Sequence, residues 1–172
     1  MRKVLLGLSV VLALLVLVSS VSAITILPIA VYVDIKPESW PNPFQLMGGG
    51  LLPVAICGTE EFDVTHIDPA SIELTKESWG IGVSPLRWSW EDVATPYTLG
   101  ELFGGHDLGP DGFLDLTLKF KIQEVIDTLD LGDLYDRDVI MLMITGNLKE
   151  EYGGTPIEGE DCIMILRKHI YS

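Results

Sequence analysis

The sequence predicts an all-β protein, an antiparallel β-sandwich of Greek-key-like type with one short helix near residues 122–129. Three observations support this fold class. About eight short apolar or alternating runs are present, and Gly, Pro, Asp and Asn separate them. Only one stretch has apolar residues at helical spacing. The segment 24–172 has 149 residues, which suits a single domain with its own core.

The first 23 residues have the pattern of a secretory signal peptide. Two basic residues precede the apolar run Val4–Val18, and a small-x-small site ends at Ala23. The run is shorter than the roughly 20 residues that a membrane-spanning helix needs. An uncleaved anchor is the alternative, because apolar residues resume at Ile24–Val33, although Pro28 favours a strand there. We expect cleavage after Ala23, an extracellular or cell-surface location, and membrane attachment only if the segment is retained.

The strands are predicted from their residue patterns. Ile24–Ile35 is apolar and β-branched with a break at Pro28, and Leu51–Cys57 is a continuous apolar run that predicts a buried strand. The later strands alternate or are apolar: Ala70–Thr75, Val83–Trp90, Phe113–Lys121, Asp138–Thr145 and Cys162–Arg167.

The helix is predicted over Ile122–Leu129, where Val125 and Ile126 continue an apolar face at helical spacing. Residues rich in Gly, Pro or polar side chains predict the connections 36–50, 62–69, 94–110 and 146–159.

The charge of the chain excludes some partners. Residues 24–172 have 9 Lys and Arg against 25 Asp and Glu, a net charge of −16. Such a domain repels nucleic acid and anionic membrane surfaces. It suits solubility, cation binding or a basic partner.

An Asp-Gly segment is the one motif with metal chemistry. Asp107, Asp111 and Asp115 stand at positions one, five and nine of a calcium-type loop, with Gly112 at position six. Position three is Gly109, which has no side-chain oxygen, and position twelve has no Glu, so the loop is incomplete. The alternative is a tight turn in which Asp side chains cap backbone amides.

Several segments form one series along the chain. They are Val33–Pro37, Pro41-Asn42, Leu52–Ile56 with Gly58-Thr59, Phe62–Val64, Ile67–Pro69, Pro85–Trp88, Glu91–Val93, Asp111–Leu116, Thr145–Leu148, Gly154–Ile157 and Gly159–Asp161. The series resembles a family of modules in secreted bacterial and archaeal proteins, with the pattern VDIKPxSxPN…LPVAIxGTxxFDVxxIDP…DGxLDL.

The resemblance covers nearly all of residues 31–168 and implies a module that stands at the ends of larger secreted or cell-surface proteins. It assigns no activity to the module. It implies that Asp92 is the first calcium ligand, with the insertion 94–110 dividing the loop. Asp92, Asp111 and Asp115 would then converge, with Asp107 or Glu91 adding oxygen, and Ca²⁺ would stabilise the fold.

Two interpretations of the cysteines stay open. Export permits a disulfide between Cys57 and Cys162, because each lies at one end of a strand-like run and the two could be neighbours in a sheet. The other interpretation is two buried free thiols. Neither residue belongs to a CxxC motif, which argues against zinc and thioredoxin-like chemistry.

The tryptophans divide into two groups. Trp88 and Trp90 share one face of a predicted strand with Trp79 nearby, and a core face is the default interpretation of that pattern. A sugar-stacking platform is the alternative. Trp40, in a Pro-rich loop, is the better candidate for an exposed ligand contact, although anchoring of the loop is the favoured interpretation of this residue.

The pattern of His, Ser and Gly residues does not predict an enzyme. His66, His106 and His169 are scattered, and the motifs of serine hydrolases, P-loops and dinucleotide-binding proteins are missing from the sequence. We predict a secreted or cell-surface structural or interaction module whose partner is an unknown protein or glycan of the cell envelope. The alternatives are a carbohydrate-binding protein and, less favoured, a small secreted hydrolase built on acidic residues. The strand Ile24–Val33 could also pair with another subunit rather than with its own sheet.

Overall fold

The computed structural model describes residues 26–76, 80–97 and 107–167 as a two-sheet sandwich with one short helix, which confirms the predicted fold class. The strands are β1 (Ile29–Ala30), β2 (Val33–Ile35), β3 (Pro43–Gln45), β4 (Leu51–Ile56), β5 (Ile67–Thr75), β6 (Arg87–Glu91), β7 (Asp115–Lys121), β8 (Val139–Leu148) and β9 (Pro156–Leu166). The helix α1 (Ile122–Thr128) follows β7 directly, and 3₁₀ turns cover Val64–His66 and Glu150–Tyr152.

The strands form a first sheet with the order β1-β9-β8-β5, in which β3 also pairs with β9, and a second sheet with the order β2-β4-β7-β6. Most pairs are antiparallel, but β1 and β3 run parallel to β9. Two of the seven strand pairs, β6–β7 and β8–β9, join strands that are consecutive in the chain, and the other five join strands that are not.

The core lies between the two sheets, since alternate residues of each strand point inward. On β7 these are Leu116, Leu118 and Phe120, all fully buried. The other face of β7 is buried at Asp115 and Thr117 as well, because the chain after β6 crosses over this face.

That crossing is made by residues 92–97, which we call the strap. Ala94 in the strap is fully buried and packs with Ala55 and Cys57 on the outer face of the second sheet. Gly58 permits a second close approach on this face, since a Cβ there would lie 2.1 Å from the backbone oxygen of Leu114. The second sheet therefore has a covered outer face as well as an inner one.

Four segments differ from the sequence predictions. The first predicted strand divides into β1 and β2, because the chain leaves one sheet and enters the other between Ala30 and Val33. The predicted loop 36–50 contains β3, and the predicted polar connection 146–159 is shortened from both ends by β8 and β9. Regular pairing of the predicted strand 83–90 begins at Arg87, with Val83 making only an isolated bridge to Leu74.

Residues 29–35 lie in the sheets of their own chain, which is the simpler of the two alternatives for the first strand. The signal-peptide prediction for residues 1–23, together with Trp79, His106 and His169, lies outside the described residues. Within the described ranges, every helix is too short or too polar to cross a membrane.

Candidate functional site

Asp115 anchors the strap to the second sheet. Its Oδ2 accepts hydrogen bonds from the backbone N–H of Val93 at 2.8 Å and of Ala94 at 2.9 Å. Its Oδ1 accepts from the N–H of Gly58 at 3.0 Å. Burial raises the pKa of Asp115, and the three N–H donors oppose that rise. One fully buried carboxylate thus joins the strap and the loop after β4 to the first residue of β7.

Asp92 and Asp111 build the Asp-Gly turn. The carboxylate of Asp92 accepts from the N–H of Asp111 at 3.0 Å and of Gly112 at 2.9 Å. Asp111 Oδ1 accepts from the N–H of Phe113 at 2.9 Å. Gly112 has φ +98°, a conformation that favours glycine, which explains the Asp-Gly pair. These bonds are those of an Asx-capped turn.

The residues of the predicted calcium loop are Asp92, Asp107, Asp111 and Asp115, and the carboxylates of Asp92, Asp111 and Asp115 accept hydrogen bonds from backbone N–H groups. The resemblance implied that the first, third and fourth would converge, and the structure does bring Asp92 to the turn that contains Asp111. However, the hydrogen-bonded oxygens named above face backbone N–H groups. Across the described ranges, no three His, Cys, Asp or Glu side chains are placed to hold a metal ion. Calcium binding therefore stays a prediction, and it requires these carboxylates to direct further oxygen lone pairs toward one shared ion.

Calcium binding would have a measurable effect on the melting temperature. If Ca²⁺ binds only the folded chain, millimolar calcium should raise the melting temperature by roughly 3–6 °C over that in excess EDTA. The variant Asp92→Asn should lose this rise, whereas Asp127→Asn on the exposed part of α1 should keep it. Equal melting temperatures in calcium and in EDTA would rule out the calcium loop.

A second polar cluster, which we call the inter-sheet latch, consists of Asp34, Asn42 and Asp161. Asp161 Oδ2 on β9 accepts from the N–H of Ile35 on β2 at 2.7 Å and from Asn42 Nδ2 at 3.0 Å. Asn42 Nδ2 also donates to the carbonyl of Cys162 at 3.0 Å. Because β2 and β9 belong to different sheets, these bonds close the sandwich along one edge.

Asp34 is the unusual member of the latch. Its side chain is on β2, only 8% exposed, and its Oδ2 has no hydrogen-bond partner among the described residues. Burial, followed by the nearby charges of Asp161 and Asp115, raises the pKa of Asp34 to about 7. The group is therefore partly protonated at neutral pH, which an ordinary carboxyl is not.

The two cysteines are free and buried. Cys57 follows β4 in the second sheet, and Cys162 is on β9 in the first, so the expected neighbouring positions in one sheet are wrong. Burial raises the pKa of Cys57, and that of Cys162 to about 11, which keeps both thiols protonated. The disulfide stays a prediction for the oxidised protein.

The aromatic strip on β6 is the main exposed apolar feature of the second sheet. Trp88 and Trp90 are 46% and 41% exposed, and Leu86 beside them is also exposed. Trp88 is opposite Leu118 and Trp90 is opposite Leu116, so both tryptophans lie on the inner face of the sheet, as their alternation predicts. The prediction that they are core residues is wrong, because β6 is the last strand of its sheet and the core does not enclose it.

Trp40 is 37% exposed in the loop between β2 and β3. This exposure leaves the side chain accessible to a ligand, and a ligand contact there stays a prediction. The loop is at the β2 edge of the second sheet, whereas the aromatic strip is at the opposite, β6, edge. The three described tryptophans therefore belong to two separate surfaces, with Trp40 on one and Trp88 and Trp90 on the other.

Sequence reasoning missed the inter-sheet latch and the exposure of the aromatic strip. One signal was available for the latch, since Asp34 is a charged residue within an apolar strand. The hydrogen bonds that form the latch join Asp161 to Ile35 and Asn42, which are 126 and 119 positions away in the chain, and no local pattern predicts such pairs.

The fold and these sites define a small all-β sandwich domain in which the carboxylates of Asp115 and Asp161 bind the backbone and the three described tryptophans are exposed. No family model and no curated protein matches the chain. Among solved structures, the chain is similar to the major subunit of aggregative adherence fimbriae type I from Escherichia coli. The identity is 12% and the TM-score 0.29, over 80% of this chain and 94% of that one.

Proposed function

We propose that the protein is an exported, non-enzymatic interaction module of the cell surface, and that it works through the aromatic strip Leu86, Trp88 and Trp90. The single observation that carries the proposal is the position of two half-exposed tryptophans on an edge strand. Exposed aromatic side chains that share one face are enriched at contact surfaces between macromolecules. Export through a signal peptide at residues 1–23 and membership of the secreted module family are parts of the same proposal.

The roles of the acidic residues support a binding module over a hydrolase. A carboxylate pair for hydrolysis needs one group free to exchange protons with a substrate and another free to attack or to activate water. Asp115 is fully buried and accepts three backbone N–H bonds, and Asp92 accepts two. These carboxylates stabilise the loops of the fold.

The experiment is a comparison of surface retention in the native host. We expect the variant Trp88→Ser/Trp90→Ser to shift the exported chain from the cells to the medium by at least about tenfold, because the loss of one hot-spot tryptophan costs on the order of 2 kcal/mol and about 1.4 kcal/mol already corresponds to a factor of ten. Tyr135→Ser is the matched control, since Tyr135 is an exposed aromatic residue outside the strip. Equal retention of the wild-type chain and the double variant would contradict the proposal.

A glycan is the second candidate partner, and the exposure of all three described tryptophans favours it. Titration of the purified exported chain with envelope glycans, followed by tryptophan fluorescence, separates the two candidates. Saturable binding that Trp88→Ser or Trp40→Ser abolishes would assign a glycan and would locate its site. Retention on cells without glycan binding would assign a protein partner.

A further inference from the structure

We propose that a second copy of this chain is the partner of the aromatic strip, joined by antiparallel pairing of β6 with β6. This inference rests on the proposed function, because it names the partner of the same surface. It follows from the edge position of β6 and from the order of the five residues along it.

The position of β6 leaves one side of the strand free. Within the described ranges, β6 pairs with β7 on one side and with no other strand on the other. An edge strand presents backbone N–H and C=O groups to solvent, and these groups are satisfied when another strand is added. Four of the five β6 residues are exposed, and Ser89 at the centre is half-buried.

The β6 sequence is complementary to itself when it is read in opposite directions. Antiparallel pairing about Ser89 places Arg87 opposite Glu91 of the second copy, and Trp88 opposite Trp90 of the second copy. By symmetry each contact occurs twice. Opposite residues of an antiparallel pair either share backbone hydrogen bonds or do not. Ser89 can be opposite Ser89 of the second copy in both situations, so this register does not depend on which backbone groups of β6 face outward.

The contacts in this register are favourable on both faces of the sheet. Residues directly opposite in an antiparallel pair have their side chains on the same face. The four tryptophans therefore form one continuous apolar stripe on the inner face, next to the leucines of β7. On the outer face, the two Arg–Glu pairs lie at the ends of the paired segment.

The acidic character of the domain makes this charge pattern informative. Two bodies that each carry about −16 repel one another, so close contact needs local charge compensation. The other edge strand of the same sheet is β2, and its self-pairing lacks such charge compensation. Pairing of β2 about its centre would place Asp34 opposite Asp34 of the second copy. Of the two edges of this sheet, β6 is the one whose self-pairing brings opposite charges together.

Charge reversal of the exported product of the full chain tests the register. We expect the wild-type protein to sediment with twice the mass of one chain at the highest concentrations measured. Arg87→Glu places two carboxylates together at each end of the pair, and Glu91→Arg places two guanidinium groups there. Each single variant should weaken self-association by roughly tenfold or more.

A mixture of the two single variants is the control that distinguishes loss of the Arg–Glu contacts from damage to β6 itself. The two single variants are complementary to each other in this register, so their equimolar mixture should form a heterodimer although each variant alone is monomeric. The double variant Arg87→Glu/Glu91→Arg should associate as the wild type does. Circular dichroism melting of each variant checks that the fold is retained.

Three results would overturn the inference: a monomeric wild-type chain at high concentration, single variants that associate like the wild type, or a mixture that stays monomeric. The first of these, combined with loss of cell retention in Trp88→Ser/Trp90→Ser, would leave the proposed function standing with a different partner. If Trp88→Ser/Trp90→Ser still self-associates and is still retained on cells, the inference and the proposed function are both contradicted.

Discussion

Replacement of Asp115 by Ala is expected to lower the free energy of unfolding by roughly 3–5 kcal/mol, a large part of the stability of a domain of this size. The side chain is fully buried and accepts hydrogen bonds from Gly58, Val93 and Ala94. Its removal leaves three backbone donors without an acceptor and frees the strap from the second sheet. Urea unfolding followed by circular dichroism measures the change.

Asp111→Ala is the matched control for this variant. Asp111 is exposed and its Oδ1 accepts a hydrogen bond from the backbone N–H of Phe113 within the same turn. Its replacement should cost only about 0.5–1 kcal/mol. Equal losses in the two variants would show that Asp115 does not anchor the strap.

Replacement of Asp34 by Asn is expected to stabilise the protein at about pH 8, by on the order of 2–4 kcal/mol. Asp34 is nearly buried, its Oδ2 lacks a hydrogen-bond partner among the described residues, and the charges of Asp161 and Asp115 oppose its ionisation. Above its folded pKa of about 7, the wild-type chain must keep this charge buried. The neutral amide has nearly the same shape and removes that cost.

The same pKa sets the pH dependence of the effect. The pKa of Asp34 is about 7 in the folded chain, against 3.8 for an ordinary aspartate, so the folded state holds one additional proton between these values. The wild type should therefore lose stability as pH rises from about 4 to about 7, whereas Asp34→Asn should lose less. Thermal melting across this range tests the sign, and a variant less stable than the wild type at every pH would contradict it.

The elements that could be predicted from the sequence are those whose signal is local. The alternation in Phe113–Lys121 predicted β7, the continuous apolar run predicted β4, and the spacing of Ile122, Val125 and Ile126 predicted α1. The Asp-Gly pair predicted a tight turn for the same reason, since φ and the capping carboxylate are set within a few residues.

The features that could not be predicted depend on the order of strands in the sheets. Alternation correctly placed Trp88 and Trp90 on the inner face, but burial depends on whether another strand follows β6, and no residue of β6 encodes that. The latch between Asn42 and Asp161 likewise requires β2 and β9 to meet across the two sheets. The two interpretations of the cysteines stayed open because both residues border apolar runs, and such a run does not specify the sheet that it joins.

Hydrogen exchange of the β6 amides tests the central claim most directly, because it reports on the backbone of the proposed contact strand itself. The exported chain is compared in dilute solution and when bound to envelopes of its host. We predict that exchange at Arg87–Glu91 slows on binding, while the edge strand Val33–Ile35 on the opposite side of the sheet is unchanged. Unchanged exchange at β6, with slowing at the Asp-Gly turn or around Trp40, would contradict the claim that the protein works through this edge.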